Sequence, residues 1–178
     1  MLERSRFTRR VEGMHEGFYI VCGFGQTGSL IVPSLLRRGL NAVVIEQGQD
    51  LGHSMALNDL TASVPALAGD VSNSATLAHA GLHHRNCLGV MALTNDDHAN
   101  LTIAITSKLL RPDLTVLARS ETPRVTANMT SFGTDFVLDP YAIFAERLHF
   151  ALSAPVKYVA LDWLISVPGS ELWEPRRP

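Results

Sequence analysis

Read from its apolar positions, the chain alternates short hydrophobic runs with segments of helical period. The first run, Phe18 to Cys22, meets a glycine turn and then a helix predicted from Thr27 to Arg38, which Gly39 ends. Asn41 to Glu46 reads as a second strand and Gln47 to Thr61 as a weak helix. Val64 to Ala68 reads as a marginal third strand, which Pro65, with no N–H to give, demotes to an edge or irregular position. Ser74 to Ala80 is a short helix stopped by Gly81, and Leu88 to Leu93 a strand. Asp96 to Leu110 is a helix with Ala99, Ile103 and Leu110 on one face, widened by Leu101, Ile105 and Leu109. Leu114 to Ala118, Glu121 to Ser131, Asp135 to Leu138 and Tyr141 to Leu152 continue as strand, helix, strand and helix.

Strand alternating with helix implies parallel pairing and right-handed crossovers, with helices on both faces. The expectation is an α/β, Rossmann-like doubly wound sheet of six strands in the order 3-2-1-4-5-6, spanning residues 17–153. Residues 1–16 precede it as a basic leader or linker and residues 154–178 follow as an apolar tail. In that tail Val156, Tyr158, Val159, Leu161, Trp163 and Leu164 suit a packing or interface segment, on this domain, a twin copy or a partner.

Composition narrows the class. With 178 residues, 46% hydrophobic and 18% charged, the chain suits one compact domain with a real core. A formal net charge of -2 gives no electrostatic case for nucleic acid. Arg4, Arg6, Arg9 and Arg10 make the start locally basic, either as a solvated leader or as an arm on the cytoplasmic side of a membrane. Cys22 and Cys87 fall at opposite ends of neighbouring strands, so a disulfide is not expected and a reducing cytoplasm fits. Gly17 to Leu36 lacks charge, but its glycines and Pro33 fit a strand, turn and helix better than a membrane span. Pro33 is expected to kink the helix locally without loss of the site.

The candidate chemistry lies in Gly23-Phe24-Gly25-Gln26-Thr27-Gly28, between strand and helix. Gly23 permits the tight turn, Gly25 lets backbone amides approach a pyrophosphate, and Gly28 lets the helix pack on the strand. Free N–H groups and the helix dipole then favour phosphate. Glu46, 18 residues after Gly28, closes the second strand where a carboxylate accepts from both ribose hydroxyls; otherwise it is an exposed strand end. No arginine follows in Glu46-Gln47-Gly48, so NAD(H) is favoured over NADP(H), with ATP, ADP and AMP left open. Gly69, Asp70 and Val71 would border the adenine, and Thr94 and Asn95 the middle of a cofactor. Asn95 or Asp96 equally suits a helix cap. Arg119 suits either a phosphate or a surface ion pair. His79, His83 and His84 have partial metal-ligand spacing, but Gly81 interrupts them and no carboxylate or cysteine completes a site. Asp96-Asp97-His98 reads as a helix start before a cation site, and no metal is expected.

These segments together resemble a known family. I-V-C-G-F-G-Q-T-G at 20–28, V-V-I-E at 43–46, A-G-D at 68–70, A-G-L at 80–82, T-N-D-D-H-A-N at 94–100, L-A-R at 117–119 and F-G-T-D-F-V-L-D-P at 132–140 are similar to an RCK domain of the TrkA-N type. The resemblance implies a cytoplasmic regulator of a potassium channel or transporter that binds NAD(H), ATP, ADP or another ligand. It implies a homodimer or larger ring, at the inner face of the membrane through a partner or membrane segment, without itself inserting. It places Gly23, Gly25, Gly28, Glu46, Asp70 and Arg119 on the family's nucleotide site. Some relatives carry a cation-site glutamate where Tyr141 follows Pro140 here, and no C-terminal ligand-binding subdomain is evident, which implies a fragment or a truncated member.

The residues bear on two other functions as well. An NAD-dependent oxidoreductase needs a substrate domain or a proton donor. The four-residue Tyr-to-Lys spacing is absent, since Tyr19, Tyr141 and Tyr158 meet Gly23, Ala145 and Asp162 there. An NADH-sensing redox repressor needs a recognition-helix module, and none is evident. The expectation is a non-enzyme without catalytic residues.

Overall fold

The computed structural model describes residues 2–48, 51–57 and 59–166. Helix α1 (Leu2–Glu12) is followed by β1 (Phe18–Cys22), α2 (Gln26–Arg37), β2 (Asn41–Glu46), α3 (Leu51–Leu57) and β3 (Ala66–Ala68). Then come α4 (Ser74–His79), β4 (Cys87–Ala92), α5 (Asp97–Leu110), β5 (Thr115–Arg119), α6 (Pro123–Ser131) and β6 (Phe136–Leu138). Two helices end the described chain, α7 (Pro140–Ser153) and α8 (Pro155–Ser166).

All six strands form one sheet in the order β3-β2-β1-β4-β5-β6, and every pairing is parallel. The Rossmann-like expectation is met, and so is the edge position of β3, which begins directly after Pro65. Period-two alternation sorts the side chains onto two faces. Phe18, Ile20, Cys22, Val43 and Ile45 join one buried cluster with Leu77, Ile103 and Met129. Val21, Ala42 and Val44 join another with Val32, Leu35, Leu51 and Met55. Helices therefore cover both faces, as buried parallel strands require.

Three differences from the sequence reading have physical reasons. The basic start does not behave as a solvated leader, because Phe7 and Val11 of α1 belong to the first cluster at 4% and 1% exposure. Arg4, Arg6, Arg9 and Arg10 are exposed, and Arg10 donates to the carbonyl of Ala62 at 2.8 Å. A Cβ at Gly81 would lie 2.7 Å from Val11 and 2.9 Å from Phe18, so α1 docks where that glycine leaves room. In α5 the buried face is Asn100, Ile103, Ala104 and Ser107, whereas Leu109 is 73% exposed. The apolar count pointed to the wrong stripe because two polar residues on the true one satisfy themselves internally. After Ala154, where no pattern was evident, α8 forms; residues 167–178 of the expected tail lie outside the described residues.

Helix α2 continues through Pro33. Cys22 and Cys87 are free and buried at opposite ends of the β1–β4 pair. Burial pushes both thiols up, that of Cys87 to about 11, so neither is a nucleophile at neutral pH. Among the described residues no helix is long and apolar enough to cross a membrane, and no cluster of three metal-ligating side chains occurs.

The chain divides into two compact units at Leu138–Asp139. The first holds the whole sheet. In the second, Asp139 caps α7 by accepting from the N–H groups of Tyr141 and Ala142, and Phe150 of α7 meets Tyr158 of α8 edge-on. Tyr141, Phe144, Leu152, Val156 and Trp163 remain exposed there.

Candidate functional site

The sheet order reverses between β1 and β4, and the crevice beyond the carboxyl ends of those strands is where open α/β sheets take ligands. A cavity of about 500 Å³ lies there, a volume typical of small-molecule sites. The glycine turn, Glu46 at the end of β2, Leu93 to Asn95 after β4 and Arg119 at the end of β5 line it.

The glycines do different work. Gly23 has φ +103, and a Cβ there would lie 2.9 Å from the backbone of Leu93 and Thr94. A Cβ on Gly28 would lie 2.1 Å from the carbonyl oxygen of Gly23, so the first turn of α2 rests on the strand end. Both positions are fixed by the protein itself. Gly25 differs: it precedes α2 with φ -75, and a Cβ there meets nothing within 4 Å. The described protein sets no steric limit at Gly25, which lines the cavity. No side chain caps α2, which leaves the N–H groups of its first turn facing the crevice without a side-chain partner.

Glu46 is more than a strand end. One carboxylate oxygen accepts from Phe24 N at 2.5 Å and the other from Gly48 N at 3.0 Å. The side chain thereby ties β2 to the glycine turn and closes the loop that follows. Each oxygen keeps acceptor capacity for a further donor.

On the opposite wall the frame is built from polar side chains. Asn100 is fully buried, and its amide nitrogen donates to the carbonyls of Thr94 at 2.9 Å and Arg119 at 3.0 Å. Its amide oxygen accepts from Thr94 N at 3.0 Å and Thr94 Oγ1 at 2.8 Å. One residue of α5 thus fastens the ends of β4 and β5 with its full hydrogen-bonding capacity. Asp97 accepts from Thr122 N at 2.8 Å, from Glu121 N at 3.1 Å and from Ser120 Oγ at 3.4 Å. Desolvation pushes its carboxyl up, but the hydrogen bonds from Thr122, Glu121 and Ser120 outweigh that and hold it below the usual range.

Arg119 lines the cavity and pairs with Glu121, the ion pair being one of the two roles expected for it. Its Nη1 reaches the Thr94 carbonyl at 3.4 Å, and its Nε is buried without an acceptor.

Of the expected residues, Gly23, Phe24, Gly25, Gln26, Thr27, Glu46, Thr94, Asn95 and Arg119 come together around the cavity. Gly28 lies beneath the turn, and Gln47, Gly69, Asp70, Val71 and Asp96 fall outside the lining. Asp96 is the helix cap, accepting from His98 N at 2.8 Å and Ala99 N at 3.3 Å. Asp70 is held in its own turn by the hydroxyl and N–H of Ser72, which lower its carboxyl pKa. Val71 is a core residue at 2% exposure.

Gly48, Leu51 and Ser54 line the cavity without having been expected, because they sit in the poorly patterned stretch after β2. In the sequence Asp97 reads only as part of a helix start, and Asn100 only as the last residue of T-N-D-D-H-A-N. The available signal was an asparagine in helical phase with Ile103 and Ala104, a polar residue on a buried face.

A six-stranded doubly wound sheet with a glycine turn at its switch point defines a Rossmann-type domain. Residues 19–140 match the TrkA-N domain, and the chain belongs to that family. It is 27% identical over 152 residues to an uncharacterized protein of Methanothermus fervidus, covering 85% of this chain and 23% of that protein. It is 23% identical to potassium channel protein 1 of Methanocaldococcus jannaschii, covering 70% of this chain and 36% of the channel protein. The chain therefore spans well under half the length of these curated relatives.

Among solved structures, the TrkA-N domain of inner membrane protein ybaL from Escherichia coli aligns with TM-score 0.67 and 21% identity, over 77% of this chain and 97% of that one. The AMP-bound Kef C-terminal domain of Shewanella denitrificans aligns with TM-score 0.63 and 15% identity, over 84% and 90%. The GsuK channel bound to NAD aligns with TM-score 0.60 and 17% identity, over 76% and 23%. GsuK bound to ADP aligns with TM-score 0.64 and 19% identity, over 85% and 38%. At these identities the likeness is one of fold.

Proposed function

We propose that this chain is a nucleotide-sensing regulatory domain of a potassium channel or transporter, and not an enzyme. The observation that carries the reading is the cavity at the switch point, with the glycine turn and Glu46 on one side and Arg119 on the other. The turn and the N–H groups of α2 hold phosphates, Glu46 takes the adenosine ribose, and Thr94 and Asn95 line the middle. Gly69, Asp70 and Val71 serve the adenine side only if the loop after β3 closes on the ligand. NAD(H) is the favoured ligand; ATP, ADP and AMP share the same adenosine end. A carboxylate at Glu46 repels a 2′-phosphate and disfavours NADP(H).

Support comes from the family membership and from fold neighbours whose structures hold NAD, ADP or AMP. The domain acts from the cytoplasmic side, at the inner face of the membrane, as a homodimer or a part of a ring. Nucleotide shifts the population of two arrangements of that assembly, a coupling of about 1–3 kcal/mol in typical allostery. Helices α7 and α8, with their exposed Phe144, Leu152 and Trp163, are the segment that meets the neighbour. Dimerisation that survives deletion of residues 141–178 removes them from that role.

The test of the ligand is thermal unfolding with NAD⁺, NADH, NADPH, ATP, ADP and AMP. At 100-fold above Kd a ligand adds about 2.7 kcal/mol to the folded state. A shift with NAD(H) or an adenosine phosphate and little with NADPH is expected. Folded protein that responds to none of them overturns the reading.

A further inference from the structure

Arg119 already has a carboxylate partner where it lines the cavity. Its Nη2 donates to the carboxylate of Glu121, while the neighbouring Nε–H on the same edge of the guanidinium is buried and has no acceptor. The pair is therefore one-sided and lacks the two parallel hydrogen bonds of a fork. Both side chains are partly withdrawn from water, at 21% and 35% exposure, which strengthens the attraction relative to a fully solvated pair. Neither partner hangs from a loose loop. Asn100 fixes the Arg119 carbonyl, and Asp97 accepts from the backbone N–H groups of Glu121 and Thr122 and from the Ser120 hydroxyl. Glu121 itself does not line the cavity.

We infer that Glu121 is an internal competitor for Arg119, one that sets how readily the site accepts an anionic group. With Glu121 on Nη2, this end of the cavity carries little net charge, so a small free anion finds no standing cation to neutralise. A nucleotide phosphate brings several anionic oxygens, and its adenosine half contributes separate binding energy at Glu46, so it can take Arg119 from Glu121. The residue thus sets a threshold: it weakens every anionic ligand of Arg119 by the same factor, and a nucleotide, with its separate adenosine contacts, clears that threshold more easily than a bare phosphate. This inference rests on the nucleotide reading and adds a competitor to it.

The experiment is calorimetric titration of the wild-type chain, Glu121→Gln and Glu121→Ser with ADP, adenosine and inorganic pyrophosphate, after thermal unfolding has verified that each variant is folded. Both substitutions are expected to tighten ADP and pyrophosphate by about five-fold, the size of a partly exposed ion pair, and to leave adenosine within about two-fold. In an Arg119→Met background, Glu121→Gln is expected to change ADP affinity by less than about two-fold, because the effect runs through the arginine. Unchanged or weaker ADP binding in both folded Glu121 variants, with wild type still binding ADP and adenosine, overturns the inference alone. An equal gain without Arg119 also overturns it, since plain repulsion would then explain the effect. Failure of every folded protein to bind all three ligands overturns the nucleotide reading and this inference together.

Discussion

The two walls of the cavity are held in place by opposite means. At the glycine turn the constraint is a missing side chain: atoms at Gly23 and Gly28 would collide with backbone. At the ends of β4 and β5 the constraint is a side chain that is present, since Asn100 and Asp97 satisfy the loose backbone groups there. A steric rule tolerates no addition, whereas a hydrogen-bonded frame tolerates no deletion. Substitutions should therefore injure the two walls in opposite directions.

The largest effect is expected for Gly28→Ala, whose Cβ must displace a carbonyl 2.1 Å away. We expect a loss of about 3 kcal/mol in chemical denaturation, at the upper end for overpacking. Asn100→Ala comes next. It leaves the Thr94 N–H and two strand-end carbonyls without their partner, and about 2–3 kcal/mol should be lost. A smaller loss would mean that water replaces the amide and that the frame is not built on Asn100.

Gly25→Ala sharpens the contrast, because its Cβ meets no protein atom. Stability should stay within about 0.5 kcal/mol of wild type while ADP affinity in titration falls by about ten-fold or more. Equal ADP binding would show that no ligand backs onto that residue.

The smallest effect concerns acid. The Asp97 carboxyl titrates below its unfolded value, so its stabilising contribution is complete above that value and is lost as pH falls through the lower, folded one. Asp97→Asn should flatten the acid limb of stability against pH, measured by denaturant midpoints: wild type and variant differ most near neutrality and converge as pH falls through the folded value.

The same contrast explains what the sequence disclosed. Strand β2 and the start and end of β1 were legible to the residue because the apolar run of β1 lies between Gly17 and Gly23 and that of β2 between the polar Asn41 and Glu46. The glycine wall was legible because absence of a side chain leaves a spacing that can be read without coordinates. The polar wall was not. Asn100 serves residues 94 and 119, and a contact 19 residues away along the chain has no local signature. Likewise α1 was hidden because its two core residues, Phe7 and Val11, are outnumbered by arginines. Asp70 lies in the expected motif, and one of its carboxylate oxygens accepts from the N–H and hydroxyl of Ser72 within its own turn.

The docking of α1 against Gly81 and Phe18 has a mechanical consequence. Because Phe7 and Val11 are pressed into the same cluster as β1, tension applied near residue 4 cannot be absorbed by slack. It arrives at the base of the first strand, whose other end is the glycine turn. The helix is a stiff handle on the sheet, and whatever pulls on it pulls on the floor of the cavity.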